Sequence, residues 1–183
     1  PHAAVESART LVTKTYPDKL ISDDGSLLEK VVVDLLAAKK WNLATVESCT
    51  GGAVASRITD VAGASEVFTH GFVTYANEAK RDVSGVSENL LNTHGAVSEQ
   101  VARAMAQGAL ETSGADIAVS VTGIAGPGGG SEEKPVGSVW LGIAVKGETP
   151  YALKSFYPKD RAAFKLMASQ RALDLVRREL RSE

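Results

Sequence analysis

From Asp116 to Thr122 the chain reads Asp-Ile-Ala-Val-Ser-Val-Thr, nearly all apolar, and a glycine-rich stretch from Gly123 to Gly130 follows at once. An apolar run this short, ended by glycine, predicts a β-strand covered on both faces. Such a strand needs helices above and below its sheet. Strands are also expected over 41–47, 71–75, 136–145 and 151–156, the last two as an adjacent pair around the turn at Gly147 and Pro150.

Helices are predicted between the strands. One over 4–15 is weakly amphipathic and stops before Pro17. Ser26 with Glu29 three residues later forms a capping box ahead of Leu27, Leu28, Val31, Val32, Leu35 and Leu36. Gly51 and Gly52 lead into a helix carrying Val54, Ala55, Ile58 and Val61. Asn77 is the predicted N-cap of a helix through Val83. Ser98 caps an alanine-rich helix over 99–112 that Gly114 stops. A closing helix over 160–181 shows its apolar stripe at Ala162, Leu166, Leu173, Val176 and Leu180. Alternating strands and helices followed by a strand pair imply an α/β fold, a single three-layer α/β/α domain over 1–183 with a mixed sheet, and residues 1–25 as an N-terminal extension packed on it.

Composition narrows the function. The formal net charge is −2 and no clustered basic face is visible, so no field is present to hold a nucleic acid. No apolar run reaches the length of a membrane span. The start lacks the basic and apolar regions of a signal peptide, so cytoplasm is the expected location. With Cys49 the one cysteine, no internal disulfide forms. His2, His70 and His94 lack metal-ligand spacing.

Open α/β sheets bind ligands beyond the carboxyl ends of their strands, and three segments fall there. Glu47-Ser48-Cys49-Thr50-Gly51-Gly52 sets two hydroxyls and a thiol before a helix, where backbone N–H groups favour a phosphate or an oxyanion. On this segment alone, a capping Ser or Thr is the stronger reading. Cys49 rivals Ser48 as nucleophile, although neighbours at a strand end point to opposite sides. Tyr75 ends the second strand, and Lys80 follows one turn into the next helix. A lysine takes a serine proton only if burial or nearby cations lower its pKa; otherwise it is a solvated surface group. Thr122 and Gly123 open the glycine-rich loop, which matches neither G-x-x-x-x-G-K-[ST] nor G-x-G-x-x-G opening a helix.

Five motifs then stand in order: Glu47 to Gly52, Gly71 to Lys80, His94-Gly95-Ala96-Val97-Ser98, Thr122-Gly123-Ile124-Ala125-Gly126-Pro127 and Glu132-Glu133-Lys134-Pro135-Val136-Gly137. Over about Leu27 to Arg181 the chain resembles the CinA C-terminal domain family of nicotinamide-mononucleotide amidohydrolases. Longer members carry an N-terminal domain similar to a molybdopterin-binding fold, and 183 residues leave no room for it, so the resemblance implies the stand-alone form. It implies hydrolysis of the carboxamide of nicotinamide mononucleotide to nicotinic acid mononucleotide and ammonia, in pyridine-nucleotide recycling. It also implies Ser48 as nucleophile, Lys80 as base, Tyr75 and Thr122 as assisting hydroxyls, and a nucleotide met by Thr50, Gly51, Gly52, Asn77, Gly123, Gly126 and Arg161. No metal or organic cofactor is implied, and the family's habit is a homodimer. Two alternatives remain: a non-catalytic nucleotide-binding or interaction module linked to competence or DNA damage, and a serine–lysine amidase with another acyl substrate.

Overall fold

The computed structural model describes residues 2–16 and 19–182; the stop signal at Pro17 lies outside them. In chain order the elements are α1 (His2–Thr15), α2 (Leu28–Lys39), β1 (Leu43–Glu47), α3 (Ala53–Thr59), a short 3-10 turn (Ala64–Glu66), β2 (Phe68–Val73), α4 (Asn77–Ser84), α5 (Glu88–His94), α6 (Glu99–Ser113), β3 (Ile117–Gly123), β4 (Ser138–Val145), β5 (Tyr151–Phe156) and α7 (Arg161–Arg181). The strands form one sheet in the order β2-β1-β3-β4-β5. β2, β1 and β3 run parallel, while β4 and β5 add in antiparallel fashion, so the sheet is mixed. β3 is the middle strand and is buried from Ile117 to Thr122, as its apolar run requires.

Helices cover both faces, which makes the fold three-layer α/β/α. Alternation along β3 divides the core. Ile117, Val119 and Val121 pack with Val139, Leu141 and Ile143 against Phe164, Leu173 and Val176 of α7, and α2 and α3 complete this layer. Ala44, Ala118 and Ala144 face α6 on the other side, beside Met105, Ala106 and Ala109. These sheet residues are small because α6 lies close: a Cβ on Gly142 would sit 2.4 Å from the Ala102 carbonyl oxygen. Ser120 Oγ donates to that carbonyl at 2.6 Å and accepts from the Gly142 amide at 3.1 Å. The start of α6 is thereby held beside the carboxyl ends of β1 and β3.

Several local expectations shift. The Ser26–Glu29 capping box does not form, because α2 starts at Leu28 and leaves Ser26 one residue out of register. The Glu29 carboxylate instead meets Arg57 at 2.7 Å. Asn77 is the first residue of α4, not its cap; Ala76 holds that position and makes no side-chain cap. β2 covers Phe68–Val73 rather than 71–75, since after Thr74 donates to the Glu47 carbonyl at 2.8 Å the chain turns away. α5 was unannounced by the apolar pattern, yet Ser87 caps it by accepting from the Leu90 amide at 3.2 Å. The side chains of α1 over 4–16 are exposed. Packing of the N-terminal stretch falls instead to Ile21, against the core, and to the Leu20 carbonyl, which accepts from Arg177 and Arg181. No helix among the described residues is long and apolar enough to cross a membrane.

Candidate active site

β1 delivers Ser48. Its amide donates to the Val121 carbonyl at 2.9 Å, extending the β1–β3 ladder by one residue. The alternation that sends Ala44 and Val46 toward α6 sends Ser48 the same way, whereas Cys49 turns back into the α7-side core. Burial pushes the Cys49 thiol up to about 12, well above reactive range. Pleat direction thus turns the two neighbouring side chains to opposite sides of the sheet.

The turn after Ser48 is shaped by Glu47. This carboxylate is fully buried and accepts from the amides of Gly52 (3.0 Å), Val54 (3.1 Å) and Ala55 (2.9 Å). Three N–H donors at the first turn of α3 give a buried carboxylate its partners. The Gly51 amide donates to the Ser48 carbonyl at 3.1 Å. The expectation that Gly51 and Gly52 offer free amides to a ligand is corrected here, since both are spent inside the turn. Glu47 went unassigned in the sequence; an acid ending an otherwise apolar strand, before two glycines, was the available signal.

α4 delivers Lys80, which is 1% exposed. Its Nζ lies 3.0 Å from Ser48 Oγ, 2.8 Å from the Thr74 carbonyl oxygen and 3.3 Å from that of Tyr75. Burial lowers its pKa, because the charged form loses hydration and no carboxylate among the described residues pairs with it. A neutral amine has two N–H donors and one lone pair. Nζ donates to Ser48 Oγ as well as to the two carbonyls; on losing a proton it can keep both carbonyl bonds and turn its lone pair to the Ser48 hydroxyl. The early end of β2 makes this possible, since it frees two successive carbonyls to point at the amine.

β3 delivers Thr122 and Gly123. Thr122 Oγ1 donates to the Ala96 carbonyl at 2.8 Å, which directs its lone pairs toward the site. The Val121 carbonyl points to β1, so along the same strand edge the Gly123 amide also points to the β1 side, just beyond Ser48. A Cβ at Gly123 would lie 2.7 Å from the Ser138 carbonyl oxygen, so glycine is required there by a close approach.

Ser48, Cys49, Tyr75, Asn77, Lys80, Ala96, Thr122, Gly123 and Arg161 line one cavity of about 230 Å3. Residues from three strand ends, α4, the turn before α6 and α7 are thus brought together. Arg161, at the start of α7, donates to Tyr75 Oη at 2.7 Å and to the Gly126 carbonyl at 3.0 Å. Gly126 therefore takes part only by fixing Arg161, and Tyr75 is 59% exposed at the rim. Thr50 is buried and, with Gly51 and Gly52, lies outside the lining. A larger groove of about 510 Å3 lies between residues 19–21 and the outer face of α7, but no serine or cysteine lines it. Among the described residues no cluster of His, Cys, Asp and Glu is placed to hold a metal ion.

Comparison with known proteins points to one family. The CinA C-terminal domain matches residues 26–180. A CinA-like protein of Akkermansia muciniphila is 57% identical over 84% of this chain, which spans 37% of that protein. The nicotinamide-nucleotide amidohydrolase PncC of Enterobacter agglomerans is 53% identical over 79% of this chain and 88% of its own. Among solved structures, the competence/damage inducible protein CihA of Agrobacterium tumefaciens superposes with a TM-score of 0.80 at 41% identity, covering 86% of this chain and 99% of that one. Several of the relatives are longer proteins of which this chain spans well under half. On its matched length, its identities and its superposition, this chain belongs to the CinA C-terminal domain family.

Proposed function

We propose that the protein hydrolyses the carboxamide of nicotinamide mononucleotide, with Ser48 as nucleophile and Lys80 as base. The relative named a nicotinamide-nucleotide amidohydrolase, matched over most of both chains, supports the substrate class. The observation that carries the chemistry is the buried Lys80 amine 3.0 Å from Ser48 Oγ with two carbonyls on its N–H groups. A buried lysine with a lowered pKa beside a hydroxyl favours catalysis over a non-catalytic module.

Ser48 Oγ attacks the carboxamide carbon while its proton passes to Lys80 Nζ. The tetrahedral oxyanion is received by the Gly123 amide, since Gly51 and Gly52 are committed elsewhere. Collapse expels the amine, protonated by Lys80, as ammonia. Water then attacks the acyl-serine, Lys80 accepts its proton, and nicotinic acid mononucleotide leaves with Ser48 restored. Thr122 already donates its proton to Ala96, so its lone pairs orient the carboxamide N–H2 rather than protonate it. A cavity of about 230 Å3 is below the usual range of about 300–1,000 Å3 for a whole ligand, so it takes the pyridine end and leaves the ribosyl phosphate at the rim beside Arg161 and Asn77. The proposal extends to a cytoplasmic homodimer that takes a small nucleotide and no nucleic acid, in keeping with a net charge of −2.

Ammonia release from nicotinamide mononucleotide tests the reading. The wild-type protein and Cys49→Ala release ammonia, and Ser48→Ala loses at least about 1,000-fold in kcat, the scale on which single nucleophiles act. A Ser48→Ala protein with most of its turnover left removes the assignment.

A further inference from the structure

Beside the cavity, α7 carries a second cation that the chemistry above does not use. Lys165 lies one turn beyond Arg161 on the same helix face. Its Nζ stands 3.7 Å from where a Cβ on Gly51 would be, which places the ammonium over the turn that follows Ser48. Lys165 is partly buried, and no acceptor among the described residues pairs with it. Arg161 likewise meets only neutral acceptors, the Tyr75 phenol and the Gly126 carbonyl.

Three cations further along the helix behave differently. Arg171, Arg177 and Arg178 all meet Asp174, at 2.9, 2.7 and 2.8 Å. Three cations of α7 away from the cavity thus share Asp174 and Arg181 meets the Leu20 and Ile21 carbonyls, while among the described residues neither Lys165 nor Arg161 meets a carboxylate. An ammonium and a guanidinium held a turn apart without a counter-charge favour an anion between them. Gly51 supplies the room: its missing side chain and its φ of +62° keep the surface under the ammonium bare.

We infer that Lys165 and Arg161 together clamp the 5′-phosphate of the substrate, so that Lys165 selects nucleotides over the corresponding nucleosides. This rests on the nucleotide substrate proposed above. Lys165 is a binding residue and takes no part in proton transfer, so its removal weakens binding rather than the chemical step.

The test is calorimetric titration of nicotinic acid mononucleotide, and of its nucleoside, into the wild type, Lys165→Ala and Lys165→Arg. Loss of one charge-assisted contact weakens nucleotide binding by about 10- to 100-fold in Lys165→Ala, narrows its preference over the nucleoside by the same factor, and is recovered in Lys165→Arg. Thermal unfolding of the same variants shows that the fold is retained. Equal nucleotide affinity in Lys165→Ala and wild type overturns the clamp, as does a wild type that binds nucleotide and nucleoside alike. If the wild type binds nucleotide through Lys165 yet releases no ammonia, the clamp stands and the amidohydrolase reading falls.

Discussion

Glu47→Gln removes one charge from the interior and changes no volume, which isolates the part this carboxylate plays. In the wild type, Oε2 accepts from Gly52 and Val54, and Oε1 from Ala55. A glutamine has one acceptor oxygen and one N–H2 group. In its better orientation the oxygen keeps the Gly52 and Val54 bonds in weaker, neutral form, and the N–H2 faces the Ala55 amide, donor against donor. Hydrogen bonds to a charged group contribute about 1.5–3 kcal/mol and neutral ones about 0.5–1.5 kcal/mol. One bond lost and two weakened therefore cost about 3–5 kcal/mol, against a total stability for such domains of about 5–15 kcal/mol. The protein remains folded but with a loosened turn after Ser48. Guanidinium denaturation, read at constant m-value, gives the difference directly. Turnover falls further than stability alone accounts for, because Ser48 no longer sits in register with Lys80. A Glu47→Gln protein within about 1 kcal/mol of the wild type refutes the view that this carboxylate holds the nucleophile turn together.

Two other perturbations probe the site from α4. Because burial lowers the pKa of Lys80 and only the neutral amine accepts the serine proton, kcat/KM rises with pH through that pKa and levels off above it. Lys80→Arg, whose guanidinium stays charged, is inactive across the range and shows no such limb; a pH–rate profile of both proteins decides this, and an active arginine variant retires the mechanism. Gly108→Ala introduces a Cβ 1.8 Å from the Ser84 carbonyl oxygen, which forces α4 away from α6 and carries Lys80 with it. The expected outcome is a loss of about 1–3 kcal/mol or more by denaturation, together with lost turnover, and a Gly108→Ala enzyme of normal activity contradicts the dependence of Lys80 on this helix contact.

The layers of the fold were legible in the sequence because burial leaves a local record. The apolar 116–122 run required cover on both faces, and β3 is indeed the middle strand between two helical layers. Ser98 caps the helix it precedes, as expected, while Asp160, read as the first residue of the closing helix, is its cap. The Ser26 box shows the limit of local signals. Glu29 satisfied the capping pattern, but Arg57, distant in sequence, offered it a better partner and the helix began one residue later.

For the candidate site, residue types and their order along the chain were readable from the sequence: a hydroxyl at one strand end, a lysine one turn into the helix after the next strand, and a glycine loop at a third strand end. What those residues can do was decided in three dimensions. The lowered pKa of Lys80 comes from lost hydration, and its position from two carbonyls freed where β2 stops short; neither is a property of residues 71–80 read as text. The opposite orientations of Ser48 and Cys49 follow from the pleat, with Cys49 packed in the core on the α7 side. The commitment of the Gly51 and Gly52 amides depends on where the Glu47 side chain turns. Local patterns report solvent exposure, which each residue experiences by itself; a pKa, a donor's direction and an unpaired cation depend on neighbours the chain brings back from far away, and only the tertiary structure selects those neighbours.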